Sequence, residues 1–124
     1  MLLGHVCVGT DDLAAARAFY DPVMAALGVT KVRQDDQRVY YASDGQLLVV
    51  TLPLDGGRAT AGNGGTIGFA AADAAMVDAF HAAGLANGGS EEGAPGLRPN
   101  GRYGAYLRDP AGNKLCAFAP RGAA

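Results

Sequence analysis

An internal repeat is the feature of this chain that most constrains its fold. Residues 5–20 align with residues 66–81, which lie 61 positions later, and the two segments share one pattern. Each has a short apolar segment, an aspartate suited to cap a helix, and a helix that ends near a glycine. The aligned identities are Asp12 with Asp73, Ala14 with Ala75, Ala18 with Ala79, Phe19 with Phe80 and Gly28 with Gly89. Such a repeat predicts two similar modules in one chain.

The end of each repeat supports the same alignment. Asp44 aligns with Asp109 and, once the later turn is given two extra residues, Val49 aligns with Cys116. Asp-Gly in the first copy and Asp-Pro-Ala-Gly-Asn in the second are both turn signals between strands. The pattern in each half therefore predicts a β-α-β-β-β unit of about 60 residues. A unit of that length is too short to bury its sheet alone.

We therefore predict one α+β domain over residues 1–124, in which two tandem βαβββ modules with curved mixed sheets enclose a central cleft. The expected boundaries are about 1–54 for the first repeat, 55–64 for a linker and 65–120 for the second repeat. Apolar spacing predicts helices over 12–27 and 73–84. Strand patterns cover 28–33, 38–42, 47–52, 103–109 and 114–119.

The stretch from Asn87 to Arg102 is predicted to be a long loop, because it is rich in glycine, proline and serine and has little apolar content. Long loops often cover binding sites, and Arg98 or Arg102 would offer a guanidinium to an anionic ligand. The alternative is a solvated surface loop whose charges have no specific partner.

Composition narrows the function classes. A net charge of −2 and an isoelectric point near 5.5 argue against a nucleic-acid binder. We expect no membrane partner, since no apolar run approaches the about 18 residues of a membrane span. The N-terminal residues lack the pattern of a signal peptide, and two cysteines are too few for a disulfide scaffold. These features favour a cytoplasmic, bacterial-style protein.

The chain resembles the glyoxalase / bleomycin-resistance / extradiol-dioxygenase superfamily, the vicinal oxygen chelate proteins. The segments that carry the resemblance are His5 on the first strand, Asp12, Ala18-Phe19-Tyr20, Leu27-Gly28, Glu92 to Pro99, and the closing Tyr106 to Leu115 with its Asp-Pro-Ala-Gly-Asn turn. The resemblance implies the paired-module fold and a homodimer. The members of this superfamily include lyases, isomerases, dioxygenases, thiol transferases and drug-binding proteins, so the resemblance leaves the activity of this chain open.

The resemblance also implies where a divalent metal would be held, on the first and last strand of each repeat. Those positions carry His5, Thr66, Val49 (with Thr51 as its competitor) and Cys116, where relatives usually have a glutamate on each last strand. Only His5 keeps the usual ligand chemistry, so no cofactor is expected and a divalent metal remains an alternative with His5 and Cys116 as ligands. A zinc site that adds Cys7, a Cys7–Cys116 disulfide and a reactive Cys116 thiol are further alternatives.

We predict a divergent member of this superfamily that binds a small molecule in the cleft between the sheets, with the usual metal-ligand set largely lost. The alternative is a metal-dependent lyase or isomerase of glyoxalase type with an altered ligand set. The residues expected to contact a ligand are His5, Cys7, Val49, Thr51, Thr66, Tyr103 and Cys116, while catalytic residues stay unknown. Some of the strand tyrosines Tyr40, Tyr41, Tyr103 and Tyr106 are expected to reach the cleft, and His81 is expected to be a helix residue.

Overall fold

The computed structural model describes residues 2–123, which form two modules of one helix and four strands each. The elements of the first module are β1 (His5–Gly9), α1 (Leu13–Ala26), β2 (Lys31–Gln34), β3 (Arg38–Ser43) and β4 (Gln46–Thr51). Those of the second module are β5 (Ile67–Ala70), α2 (Ala74–Ala86), β6 (Ser90–Leu97), β7 (Tyr103–Arg108) and β8 (Lys114–Phe118).

Each module builds a four-stranded mixed sheet with the same topology. The strand orders are β1-β4-β3-β2 and β5-β8-β7-β6, so the first strand of each module runs parallel to the last. The register is also the same, because Cys7 pairs with Val49 as Gly68 pairs with Cys116. The predicted two-module α+β fold is confirmed.

Local signals explain where the helices begin. The Asp12 carboxylate accepts from the Ala15 amide at 3.1 Å and the Asp73 carboxylate accepts from the Met76 amide at 2.9 Å. The helix α2 continues two residues beyond its predicted end at Gly84. A side chain at Gly84 would collide with Leu107 of β7, so this glycine permits close helix–sheet packing and does not end the helix.

The predicted long loop contains a strand, and that prediction is wrong. β6 (Ser90–Leu97) pairs antiparallel with β7, with register irregularities between Glu91 and Gly93 and between Gly93 and Gly96. The segment escapes pattern recognition because glycines and Pro95 replace the alternation of apolar residues that marks a strand. Its place at the edge of the sheet tolerates the missing amide of Pro95.

One hydrophobic core joins the two modules. It contains Phe19, Tyr20 and Val23 of α1, Val77 and Phe80 of α2, and the helix-facing residues of both sheets. The two helices pack against each other inside this arrangement. The sides of the sheets that point away from the helices lie outside this cluster, although Val49 and Cys116 on those sides are themselves buried.

We call these outer sides the open faces. Because residues alternate along a strand, and Val6 and Val8 pack against the core, His5 and Cys7 belong to the first open face. By the same alternation, Leu115 and Ala117 lie in the core and Cys116 belongs to the second open face. Neither of the helices described is long and apolar enough to cross a membrane.

Candidate functional site

The Asp-Pro-Ala-Gly-Asn turn between β7 and β8 forms a junction between the modules. The buried Asp109 carboxylate accepts from the Tyr20 hydroxyl of α1 at 2.6 Å, from the amides of Ala111 and Asn113, and from the Asn113 side chain at 2.8 Å. The Asn113 side chain also donates to the carbonyl oxygen of Gly9, at the end of β1. Both oxygens of the Asp109 carboxylate are therefore engaged inside the fold.

The structure places six of the seven predicted ligand residues on the open faces or level with them. His5 and Cys7 of β1 and Val49 and Thr51 of β4 share the first open face. Thr66 precedes β5 in phase with Gly68, and Cys116 lies on the second open face. Val49 is opposite Cys7, and the residue opposite His5 is Leu47.

Tyr103 is the predicted ligand residue that the structure places elsewhere. Its ring packs against the core, and its hydroxyl donates to the Asp78 carboxylate of α2 at 2.6 Å. This hydrogen bond raises the pKa of the Tyr103 hydroxyl. Tyr106, three residues later, takes the second open face opposite Cys116, and Tyr40 takes the first open face opposite Val49.

The donor atoms at these positions do not fit the divalent metal that the resemblance implies. Val49 has no donor atom, and Thr66 offers one neutral hydroxyl. Within residues 2–123, no group of three or more histidine, cysteine, aspartate or glutamate side chains is placed to hold a metal ion. Among residues 2–123 of one chain, His5, Cys7 and Cys116 do not come together in such a group.

The two cysteines differ in exposure. Cys7 is exposed, Cys116 is buried, and both are free thiols. Burial raises the pKa of the Cys116 thiol, although the positive charges of Lys114 and Arg102 act in the opposite direction. The Cys116 thiol is therefore protonated near neutral pH, which disfavours a nucleophilic role.

The second open face carries a group of aromatic and cationic side chains. The rings of Tyr106 and Phe118 meet edge to face, with their centroids 5.7 Å apart. The guanidinium of Arg102 lies 5.5 Å from the centre of the Phe118 ring, and the ammonium of Lys114 lies 5.2 Å from the centre of the Tyr106 ring. Arg98 of the β6–β7 connection lies 5.6 Å from the same Tyr106 ring. The sequence did not predict that these aromatic and cationic side chains lie together.

Part of the signal was in the sequence. Lys114 and Phe118 lie two residues on either side of Cys116, and strand alternation places all three on one face. Arg98 follows the two irregularities of β6, so no spacing rule predicts its direction.

Two cavities border the open faces. A groove of about 590 Å³ is lined by residues of β1, β4 and β5, and its lining includes the core-side residues Met24, Leu27 and Phe69 as well as His5 and Thr66. A pocket of about 460 Å³ lies between the glycine-rich linker at residues 61–65 and the side chains of Arg108 and Lys114.

His81 lies away from both open faces. It is buried on α2, with its Nε2 atom 2.9 Å from the Glu91 carboxylate of β6. The hydrogen bond with His81 lowers the pKa of Glu91. The pair joins the helix to the edge strand that the sequence did not reveal.

Comparisons with known proteins agree with this geometry. Residues 2–117 match the profile of the Glyoxalase/Bleomycin resistance protein/Dioxygenase superfamily. Among solved structures, a glyoxalase/bleomycin resistance protein from Albidiferax ferrireducens is 44% identical with a TM-score of 0.93, over 97% of this chain and 100% of that chain. A lactoylglutathione lyase from Agrobacterium tumefaciens is 30% identical with a TM-score of 0.70, over 98% of this chain and 94% of that one. Among curated proteins, none matches.

Proposed function

We propose that this chain, which belongs to the glyoxalase/bleomycin resistance protein/dioxygenase superfamily, binds a small molecule against its open faces without the usual metal centre. The observation that carries the proposal is the chemistry at the four positions where the resemblance places a metal. His5, Val49, Thr66 and Cys116 combine one imidazole with apolar and neutral groups, and such a surface suits contact with an organic ligand.

We propose further that a second copy of the chain completes the cleft. In one chain the helix-facing sides of both sheets share a core, so each open face lacks an opposite wall. Among the described residues, β1 pairs with β4 alone and β5 with β8 alone, which leaves one edge of each strand free. Leu2, Leu3 and Leu47 line the groove beside these edges with large exposed fractions, and a dimer contact would bury them.

The binding proposal is tested by a thermal-shift screen with small molecules on the wild-type chain and two tyrosine variants. Thr66→Tyr places a bulky side chain at the start of β5, whereas Thr30→Tyr makes the same change at an exposed position between α1 and β2. We expect a ligand that raises the melting temperature of the wild type to lose its effect in Thr66→Tyr and to keep it in Thr30→Tyr. A ligand effect that survives both Thr66→Tyr and His5→Ala would contradict the proposed site.

The dimer is tested by light scattering after size exclusion. We expect twice the chain mass of 12.5 kDa for the wild type. Leu47→Asp places a charge at the edge of the groove and should shift the mass towards the monomer, while Leu54→Asp, at an exposed position between β4 and β5, should not. A monomeric wild type at every concentration tested would refute the shared cleft.

A metal-dependent lyase is the second candidate, and the 30% identity to the Agrobacterium lactoylglutathione lyase favours it. Its test is elemental analysis of protein purified without chelator, together with an assay for lactoylglutathione lyase activity. A stoichiometric metal that is lost in His5→Ala or Cys116→Ala would replace the first candidate by this one. We place the protein in the cytoplasm, because its free cysteines suit a reducing compartment.

A further inference from the structure

We propose that the second open face selects an anionic molecule with a flat apolar group, such as an aromatic carboxylate, sulfonate or phosphate. This inference rests on the proposed function, since it names the class of molecule that the open faces bind. The cations and rings that carry it lie outside the four metal positions.

Positive charge is concentrated on this face although the chain as a whole is acidic. The chain carries a net charge of −2, yet the side chains of Arg98, Arg102, Arg108 and Lys114 all border the Tyr106 and Phe118 rings or the adjoining linker pocket. One carboxylate opposes them, that of Glu92, which accepts from Arg108. Three of the four cations are thus left without a carboxylate partner among the described residues.

Several donor groups on these cations are unused. Within the described residues the Lys114 ammonium makes no hydrogen bond, and Arg102 donates only through Nε, to the carbonyl oxygen of Ala119. The Nε atom of Arg98 is buried without an acceptor. Guanidinium and ammonium donors in such a state favour an oxyanion, which accepts several of them at once.

The rings provide a floor for an apolar group. Phe118 lies directly over Gly104, where even a Cβ atom would come within 2.4 Å of the ring. The glycine therefore lets the ring lie flat against the sheet. Tyr106 is held edge to face against Phe118 and remains half-buried, so part of its surface is open to a ligand.

The positive field also reaches the centre of the face. Lys114 and Arg102 both act on the Cys116 thiol, which lies in the same row as Tyr106 and Gly68. An anionic group placed over Cys116 would thus be flanked by two cations, Lys114 of β8 and Arg102 just before β7. A flat apolar portion of the same molecule would extend over the rings.

The test uses two fluorescent probes that share a ring system. 8-Anilinonaphthalene-1-sulfonate carries a sulfonate, and N-phenyl-1-naphthylamine is the same skeleton without it. We titrate both into the folded wild-type chain at low salt and expect the sulfonate to bind at least about tenfold more tightly. Added sodium chloride should weaken binding of the sulfonate and leave binding of the neutral probe unchanged.

Matched variants locate the site. Lys114→Gln and Arg102→Gln should each lower the affinity for the sulfonate by about fivefold to tenfold, because each removes one charged donor. Arg58→Gln removes the same charge from a linker side chain that is 92% exposed, and should change the affinity by less than about twofold. Lys114→Arg should retain most of the binding, since it restores a cation on the same strand.

Three results would overturn the inference. Equal affinities for the two probes would refute selection of an anion while leaving the proposed small-molecule cleft intact. Tight sulfonate binding that is unchanged in both Lys114→Gln and Arg102→Gln would place the anion elsewhere. No binding of either probe by the folded wild-type chain would count against the proposed cleft itself, and this inference would fail with it.

Discussion

Removing the hydroxyl of Tyr20 should destabilise the folded chain by about 2 kcal/mol, because it breaks a buried bond to a carboxylate. The Tyr20 hydroxyl donates to Asp109 at 2.6 Å, and both side chains are buried. Burial and the neighbouring carboxylate raise the pKa of the Tyr20 hydroxyl well above its ordinary value, so it stays a donor throughout the working pH range. The Tyr20→Phe variant keeps the ring in its core position.

The magnitude follows from what Asp109 retains. Its carboxylate keeps three other bonds, from the amides of Ala111 and Asn113 and from the Asn113 side chain. In Tyr20→Phe the Asp109 carboxylate therefore loses one hydrogen bond and keeps the other three. A hydrogen bond to a charged group contributes roughly 1.5–3 kcal/mol, and the remaining bonds place the loss near the middle of that range.

Urea unfolding at one fixed protein concentration measures the effect, because a dimer would make stability depend on concentration. We expect the midpoint to fall by about 1 M with an unchanged slope, and the melting temperature to fall by about 6–10 °C. Tyr103→Phe is the matched control. It removes the same atom from a hydrogen bond to the exposed Asp78, and should cost less than about 1 kcal/mol.

Two results would refute the reasoning. A Tyr20→Phe loss no larger than that of Tyr103→Phe would mean that the junction between the modules does not depend on this bond. A double-mutant cycle with Asp109→Asn in which the two changes add without coupling would mean that the hydroxyl acts through some other contact.

Three further predictions concern packing, reactivity and pH. Gly89→Ala should cost about 1–3 kcal/mol in urea unfolding, since its Cβ would lie 2.8 Å from two backbone carbonyl oxygens, whereas Gly62→Ala meets open space and should cost little. Iodoacetamide should modify the exposed Cys7 well before the buried Cys116, whose thiol has a raised pKa, and peptide mass spectrometry after timed quenching would show the opposite order if this is wrong. The pKa of Glu91 is lowered from 4.5 in the folded chain, so its contribution to stability is present above that value and is lost as the pH falls through the folded pKa. Glu91→Gln should therefore be less stable than the wild type near neutral pH, with a difference that disappears in acid; a difference that is constant with pH in urea midpoints would contradict the assignment.

The fold was predictable because its signals are local. An aspartate helix cap occurs in both repeats, and the two-residue hairpin turn of the first repeat matches the Asp-Pro-Ala-Gly-Asn turn of the second. Each of these signals is set by nearby residues. Asp44 and Gly45 have φ angles of 50° and 78°, the left-handed conformations that such a hairpin turn needs. Six of the seven predicted ligand residues lie on the open faces or level with them, and Tyr103 is the exception.

The remainder was not predictable for geometric reasons. The alternation of side chains between the two faces is interrupted at a register irregularity. Because β6 has two irregularities, counting residues along the sequence does not predict the face on which Arg98 lies. Tyr103 and Tyr106 are three residues apart on one regular strand and must point to opposite sides, but composition alone does not say which side faces the helices. That choice depends on where α2 packs, which is a tertiary property.

The Asp109 turn is a motif by which the family is recognised, but its position in the fold gives it a structural role. The carboxylate and its Asn113 neighbour are engaged in bonds within the fold, from the turn itself to α1 and the end of β1. These bonds hold the junction of the modules, and both oxygens of the Asp109 carboxylate are engaged within the fold. Chains can share this turn, and with it the paired-module fold, while differing at the side chains of the open faces. Membership of the family therefore constrains the scaffold, and the proposed ligand is tested through Lys114, Arg102 and the rings beside them.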